Sequence, residues 1–422
     1  MTTELDEPMS LPSSIDIAII GAGAAGLGAA HALRDKGVSF IVLEARDRIG
    51  GRAHSIMASP EVTFDLGCGW LHSADRNSFV AIAEQLAFAI DKSRPPWRDQ
   101  AYEAAFPRAE REDFLRALEA FFTRTAEAAR SGRDAPASIC LAPGNRWNGM
   151  IDAICTYLNG CELDQMSLLD FEAYEDTELN WRIRRGYGAL VAAYGAGLPI
   201  ALNYNVTLID HGDRRIRLST SQGTLTAGKV IVTVPTNLIA EEALRFTPAL
   251  PDKVEAAAGL PLGLDNKVTL ALDGWDHLPK DSGMRGRSST ARVGSFQLRP
   301  FGQPCIEGFY GGSFAREIEA AGEGALAAQA IDDVVALLGS DIRKSLRPLA
   351  ESRWGADPFA RGAYSHALPG HAGKRAVLAA PVDDRLFFAG EATPPGFFST
   401  AHGARDSGER AAREALTSLG KL

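Results

Sequence analysis

The sequence predicts an α/β fold joined to a second lobe of α+β character, and three observations carry that prediction. A short apolar strand, Asp16-Ile17-Ala18-Ile19-Ile20, runs straight into Gly21-Ala22-Gly23-Ala24-Ala25-Gly26. The same order of strand, glycine turn and helix returns late in the chain, in Leu386-Phe387-Phe388-Ala389-Gly390-Glu391 and Ser399-Thr400-Ala401-His402-Gly403-Ala404. Between them, Lys229 to Pro235 is nearly all apolar and β-branched, the composition of a strand covered on both faces. A chain that opens and closes on such elements must fold its ends together around one long ligand.

The N-terminal element is coherent in detail. Gly21 permits the tight turn, Gly23 lets backbone approach a pyrophosphate, and Gly26 lets the helix pack closely on the strand. The helix that begins around Ala25 offers its free N–H groups to the anion. Ser39 to Leu43 reads as the second strand, ending in Glu44, where an acidic side chain should meet a ribose hydroxyl. Ala45 and Arg46 come directly after it. This order predicts dinucleotide binding and leaves NAD and FAD both open.

Further along, Phe79, Ile82, Ala83, Leu86 and Ile90 recur at helical spacing, predicting an amphipathic helix over 78–90. Phe114, Leu115, Leu118, Phe121 and Phe122 mark another over 110–130, with breakers at Ser93–Pro96 and Ser131-Gly132. Ile200–Asn203 and Val206–Ile209 read as strands. Leu264 to Leu272 alternates at strand period, with Lys267 opposite Val268, Leu270 and Leu272. From the residues alone, that lysine reads as the exposed face of a half-buried strand.

The segment after Glu44 resolves the cofactor by resemblance. Arg46-Asp47-Arg48-Ile49-Gly50-Gly51-Arg52 is similar to the second glycine motif of FAD-dependent amine oxidases, a family of monoamine oxidases, polyamine oxidases and lysine-specific histone demethylases. Phe64 to His72, with Gly69 and Trp70, resembles the segment beneath the flavin in that family. Phe388-Ala389-Gly390-Glu391 and Thr400 to Arg410 resemble its last motif. The resemblance implies a Rossmann-like FAD-binding domain of the GR2 type, formed by 1–72, 190–245 and 376–422. It implies a discontinuous α+β substrate-binding domain formed by 73–189 and 246–375. Arg185–Leu190 would return the chain to the cofactor, and Val206 would contact the adenine.

The same resemblance assigns roles. Lys267 would hold a water against the flavin's reactive nitrogen and assist reoxidation by oxygen. Tyr364 would form one wall of an aromatic cage around the substrate amine, with Trp354 at the dimethylbenzene edge, although Trp354 reads as ordinary core too. The opposite wall would be Phe397, by its spacing from His402-Gly403, with Phe398 as runner-up. A phenylalanine face can still attract a cation by about 0.5–2 kcal/mol. His72 would face the substrate or serve as a hydrogen-bonded structural residue. Ala363 stands where some monoamine oxidases carry a cysteine bonded to the flavin, so FAD is expected to be held noncovalently. The helix from Ala401 would stabilise negative charge on reduced flavin.

Composition is that of a large enzyme. The 422 residues exceed one comfortable core, and 45% hydrophobic content leaves ample material to bury. A net charge of −9 argues against nucleic acid or an anionic membrane as partner and suits a cationic substrate. Five scattered cysteines make neither a metal site nor a disulfide framework. Met1–Ser14 is acidic and poor in apolar residues, unlike a secretory signal, and Ala411–Leu416 is followed by no apolar tail. The expectation is a soluble cytoplasmic protein, a monomer or homodimer, oxidising a small-molecule amine with molecular oxygen as acceptor. Glu172, Glu175, Asp176 and Glu178 would either guide a polycation or lie solvated. Alternatives on the same fold are a desaturase or porphyrinogen oxidase, or an L-amino-acid oxidase using Arg182, Arg184 or Arg185.

Overall fold

The computed structural model describes residues 13–98, 106–286 and 289–421. Most of the acidic N-terminal stretch therefore lies outside the described residues. The chain builds a mixed eight-stranded sheet and a five-stranded antiparallel sheet, with helices packed around both. In the first, Ser14–Ile20 lies parallel between Phe40–Leu43 and Gly223–Val232. Leu386–Phe388 joins Gly223–Val232 in parallel, and Ile200–Ala201 joins Phe40–Leu43. These strands are buried on both faces, which is why they read as unbroken apolar runs.

The two chain ends meet here. Helix Ala24–Leu33 packs along helix Ala401–Ser418, backbone to backbone at glycines. A Cβ on Gly408 would lie 1.9 Å from the Ala25 carbonyl oxygen, so the contact admits only hydrogen there. Gly26 is equally constrained, its would-be Cβ lying 1.8 Å from the Gly21 oxygen. Gly21 itself turns at φ +102°, a conformation side chains resist.

The second sheet runs Ser282–Arg285, Ser295–Leu298, Cys305–Gly311, Asp265–Leu272, Leu346–Glu351. Asp265–Leu272 lies inside the sheet, between Cys305–Gly311 and Leu346–Glu351, and is buried at all eight positions. Val268, Leu270 and Leu272 enter a core with Phe296, Tyr310 and Phe314. Lys267 is thus not on a solvated face. A third, helical cluster gathers Phe114, Phe121, Trp147 and Met150 on helices Arg108–Ala129 and Asn148–Asn159. The expected helix over 78–90 is shorter, Ser78–Gln85, because Ala87 adopts φ +55° and the chain then extends as Ile90–Asp91. Leu86 accordingly faces outward, while Phe88 is buried.

Candidate active site

A cavity of about 2140 Å³ runs from the glycine turn at Gly21–Gly23 to the helix Arg108–Ala129, passing both sheets. At one end, strand Ser14–Ile20 delivers Gly21, Gly23 and Ala25, while Gly26 stays behind them as a packing residue. Among the described residues, nothing lies within 4 Å of a Cβ built on Gly23, which leaves open space against the first turn of the helix. The N–H groups of that turn have no acceptor inside the helix. Glu44 closes the next strand. Its carboxylate accepts from Ala22 N at 2.8 Å and Arg46 N at 2.9 Å. Ala45, Arg46, Gly51 and Val206 line the same end. Arg46 is fixed from outside by Asp357 at 2.6 Å.

Midway, Arg52 joins the two glycine motifs, donating to Glu391 at 2.9 Å and to the Ala363 carbonyl. Ser365 donates to the other Glu391 oxygen at 2.7 Å. Burial pushes the Glu391 carboxyl up, but Arg52 and the Ser365 bond outweigh it and hold it below the usual range. Gly390, Thr400 and Ala401 complete this wall. The Thr400 hydroxyl caps the last helix by accepting from Gly403 N at 3.0 Å.

Lys267 reaches across from the second sheet. Its ammonium donates to the carbonyls of Gly67 and, at 3.4 Å, Asp65. A Cβ on Gly69 would stand 3.4 Å from that nitrogen. Trp70 and Trp354 flank the segment, and Trp354 donates to Leu66 O at 2.9 Å. Asn266 accepts from Trp354 N at 3.0 Å on the opposite strand face, so one strand positions both side chains. Behind Lys267 lies a separate chamber of about 30 Å³, room enough for water.

The surroundings of Lys267 are acidic rather than apolar. Burial raises the carboxyls of Asp65, Glu307 (up to about 7) and Asp265 (up to about 8), and the Lys267 charge opposes each rise. Cys68, which also lines the cavity, is pushed up to about 12 by burial, with Asp65 adding to it. It stays a thiol at neutral pH. His72 lines the cavity with Nδ1 2.6 Å from Asn180 Oδ1. Burial lowers its affinity for a proton, against the Asn180 bond. The ring is therefore neutral, with Nδ1–H donating and Nε2 left as an acceptor.

Tyr364 lines the cavity and donates its hydroxyl to the Tyr157 carbonyl, and burial drives its phenol upward. Facing residues differ from expectation at one position. Phe398, 2% exposed, lines the cavity, held by Tyr174 at 5.5 Å and the Arg375 guanidinium at 3.7 Å. Phe397 does not line it and instead packs on His402 at 5.0 Å. Spacing from His402-Gly403 favours Phe397, but of the two Phe398 lines the cavity, and Ser399 after it turns through φ +61°. Asp265, Tyr157 and Arg285 are polar cavity residues without a sequence assignment. Asp265 was detectable, since it shares a strand face with Lys267 two positions on. Tyr157 and Arg285 reach the site through tertiary packing and carried no local signal. Arg182, in contrast, is buried between Asp91 and Asp281 and lies outside the main cavity.

The open cradle at Gly23, the unpaired helix turn and the long cavity fit a flavin dinucleotide. Comparison with known proteins gives the class. Residues 24–416 match the model of the flavin containing amine oxidoreductases, and the chain belongs to that family. It is 30% identical to polyamine oxidase 4 of Oryza sativa subsp. japonica, over 94% of this chain and 88% of that one. It is also 30% identical to lysine-specific histone demethylase 1 homolog 1 of the same organism, spanning 96% of this chain but 52% of that relative. Among solved structures, cyclohexylamine oxidase from Brevibacterium oxydans superposes with a TM-score of 0.79 at 22% identity, covering 97% of this chain and all of that one. Putrescine oxidase bound to putrescine gives 0.78 at 20% identity, covering 96% and 99%. These two establish the fold. No described helix is long and apolar enough to cross a membrane.

Proposed function

We propose that the protein is an amine oxidase holding FAD noncovalently, which converts a small primary or secondary amine to an imine that water hydrolyses. The observation that carries this reading is Lys267, a cation brought to the Gly67–Gly69 segment from a strand two hundred positions away and secured on backbone carbonyls. The division proposed is a cofactor domain of 1–72, 190–245 and 376–422 and a substrate domain of 73–189 and 246–375.

FAD, when bound, supplies the acceptor for a hydride equivalent and passes the electrons to oxygen as hydrogen peroxide. The chain's residues do the rest. Gly23 and the first helix turn hold the pyrophosphate, Glu44 the ribose, and Val206 the adenine end. Ala401, at the N-terminus of an 18-residue helix, directs positive dipole toward charge that develops on reduction. Lys267 holds a water at its ammonium, next to the polar chamber behind it. Tyr364 and Phe398 present aromatic faces that orient the amine and exclude solvent. Nε2 of the neutral His72 can accept a hydrogen bond from the arriving amine. Glu172 and Asp176 line the cavity and favour a cationic guest.

A second reading, oxidation of an α-amino acid, draws on Arg285, a half-buried guanidinium lining the cavity with Nε unpaired among the described residues. Anaerobic titration of the flavin-loaded protein with amines and amino acids separates the two. Bleaching by amines alone supports the proposal, bleaching by amino acids alone supports Arg285 as a carboxylate clamp, and a flavin no amine can bleach refutes the amine oxidase reading.

A further inference from the structure

We propose that Asp265 is a specificity-determining residue that anchors a second ammonium group on the substrate, distinct from the amine that is oxidised. The inference rests on the amine oxidase reading and names the substrate class it leaves open, an aliphatic diamine or longer oligoamine.

Asp265 lines the main cavity, is 8% exposed, and its Oδ1 is buried with no hydrogen-bond partner among the described residues. Glu44 and Glu391, which line the same cavity, are by contrast satisfied by backbone N–H groups, Arg52 and Ser365. Burial holds this unpartnered carboxyl in its neutral form, and a cation brought against it favours the charged one.

The place of Asp265 in the cavity points the same way. Asp265 and Lys267 share one face of a strand, about 7 Å apart along it. Lys267 points its ammonium at the Asp65 and Gly67 carbonyls, on the cofactor side. Asp265 is the first residue of the strand, where Leu264 N bonds Gly160 O just past helix Asn148–Asn159. That helix contributes Ile154, Tyr157 and Leu158 to the substrate end of the cavity. The carboxylate is therefore set back from the reacting end by a few carbon–carbon bonds.

The charges around Asp265 leave it without a cation of its own. Lys267 is the cation that acts on Asp265, and it is already engaged by two carbonyls. Tyr157 and Tyr364, which face Asp265 from the helix and from the segment after Trp354, are phenols that burial keeps neutral. Arg285 stands three strands away on the edge of the sheet. The missing partner is a guest cation, and a protonated primary or secondary amine supplies both the charge and the N–H donors.

The test uses the FAD-loaded enzyme and its Asp265→Asn variant. An α,ω-diamine and a monoamine of equal chain length are compared by initial rate, and diamine binding to each protein is measured anaerobically by calorimetry. The expected result is a fall of about 10- to 100-fold in the diamine-to-monoamine ratio of kcat/KM, carried by KM, with matching loss of diamine affinity. Asp265→Glu should restore part of the preference. An unchanged ratio, whether both amines lose equally or neither does, overturns the proposal. So does failure of the wild-type protein to bind the diamine. If no amine reduces the wild-type flavin, the function proposed above fails on its own. Diamine binding lost only in Asp265→Asn would then still uphold the anchor.

Discussion

Lys267 and Asp265 sit two residues apart on one strand and are handled oppositely by their neighbours. Lys267 donates to two carbonyls and is held where the Gly67–Gly69 segment passes. Lys267→Met should retain flavin, read by its absorbance, while turnover falls by about 10²-fold or more, the scale of lost proton and water management. Asp265 has no such support, and burial raises its carboxyl from 3.8 to about 8. A carboxyl whose folded value lies above its unfolded value keeps its stability contribution below the unfolded value and loses it as pH rises toward the folded one. Flavin-free wild type should therefore weaken steadily from about pH 4 to about pH 8 at this residue. Asp265→Asn should match it at the acid end and exceed it increasingly toward the alkaline end, measured by urea denaturation across that range. The aromatic wall gives a simpler contrast. Phe398→Ala should raise KM for the amine, and Phe397→Ala should leave KM alone, since of the two only Phe398 lines the cavity.

At the scale of elements, the first and last helices decide whether the cradle exists. Gly408→Ala forces a methyl to within 1.9 Å of Ala25 O. It should destabilise the protein by about 1–3 kcal/mol, seen in thermal melts with or without flavin. Gly23→Ala should behave differently, because its Cβ meets open space. Its flavin-free stability should change by no more than about 1 kcal/mol, because Gly23 has φ −77°, which alanine also adopts, while flavin affinity drops. The two glycines look alike in sequence, and only the packing of helices from opposite ends of the chain tells them apart. What was legible was local: the strand-to-glycine-to-helix order at both ends and Glu44 after the second strand, whereas Lys267 stood out by family resemblance and its register alone read as an exposed face. The illegible part depends on contacts across the chain. The carboxyls of Asp65 and Glu307 meet Lys267 through sheet pairing and a crossing loop, so from its own strand alone the lysine read as exposed. Phe397 and Phe398 differ by one position, and contacts with His402 on one side and with Tyr174 and Arg375 on the other separate them.

Across the whole molecule, the cavity is bounded by segments that have few other reasons to meet. Arg52 from the first motif, Glu391 from the last, and Ser365 from the second lobe form one buried chain of bonds. Arg375 extends it, bonding Ser365 Oγ at 3.0 Å and pairing with Asp170 at 2.6 Å. Satisfied networks of this kind hold geometry, because removing any member strands buried charge on the others. The cofactor space runs beside this network, so a ligand filling it touches the glycine turn, the Gly67–Gly69 segment and the last helix together. Ligand binding and folding are then linked by mass action, and a free concentration one hundred times Kd should add about 2.7 kcal/mol. Stripping the flavin with chaotropic salt should release it intact if no covalent bond exists, and the melting temperature should fall. Titrating FAD back should restore it in a concentration-dependent way, with Arg52→Ala showing both a lower starting point and a smaller rise. Flavin that stays with the denatured chain would instead place a covalent bond in the cavity, where Cys68 is the cysteine among the described lining residues.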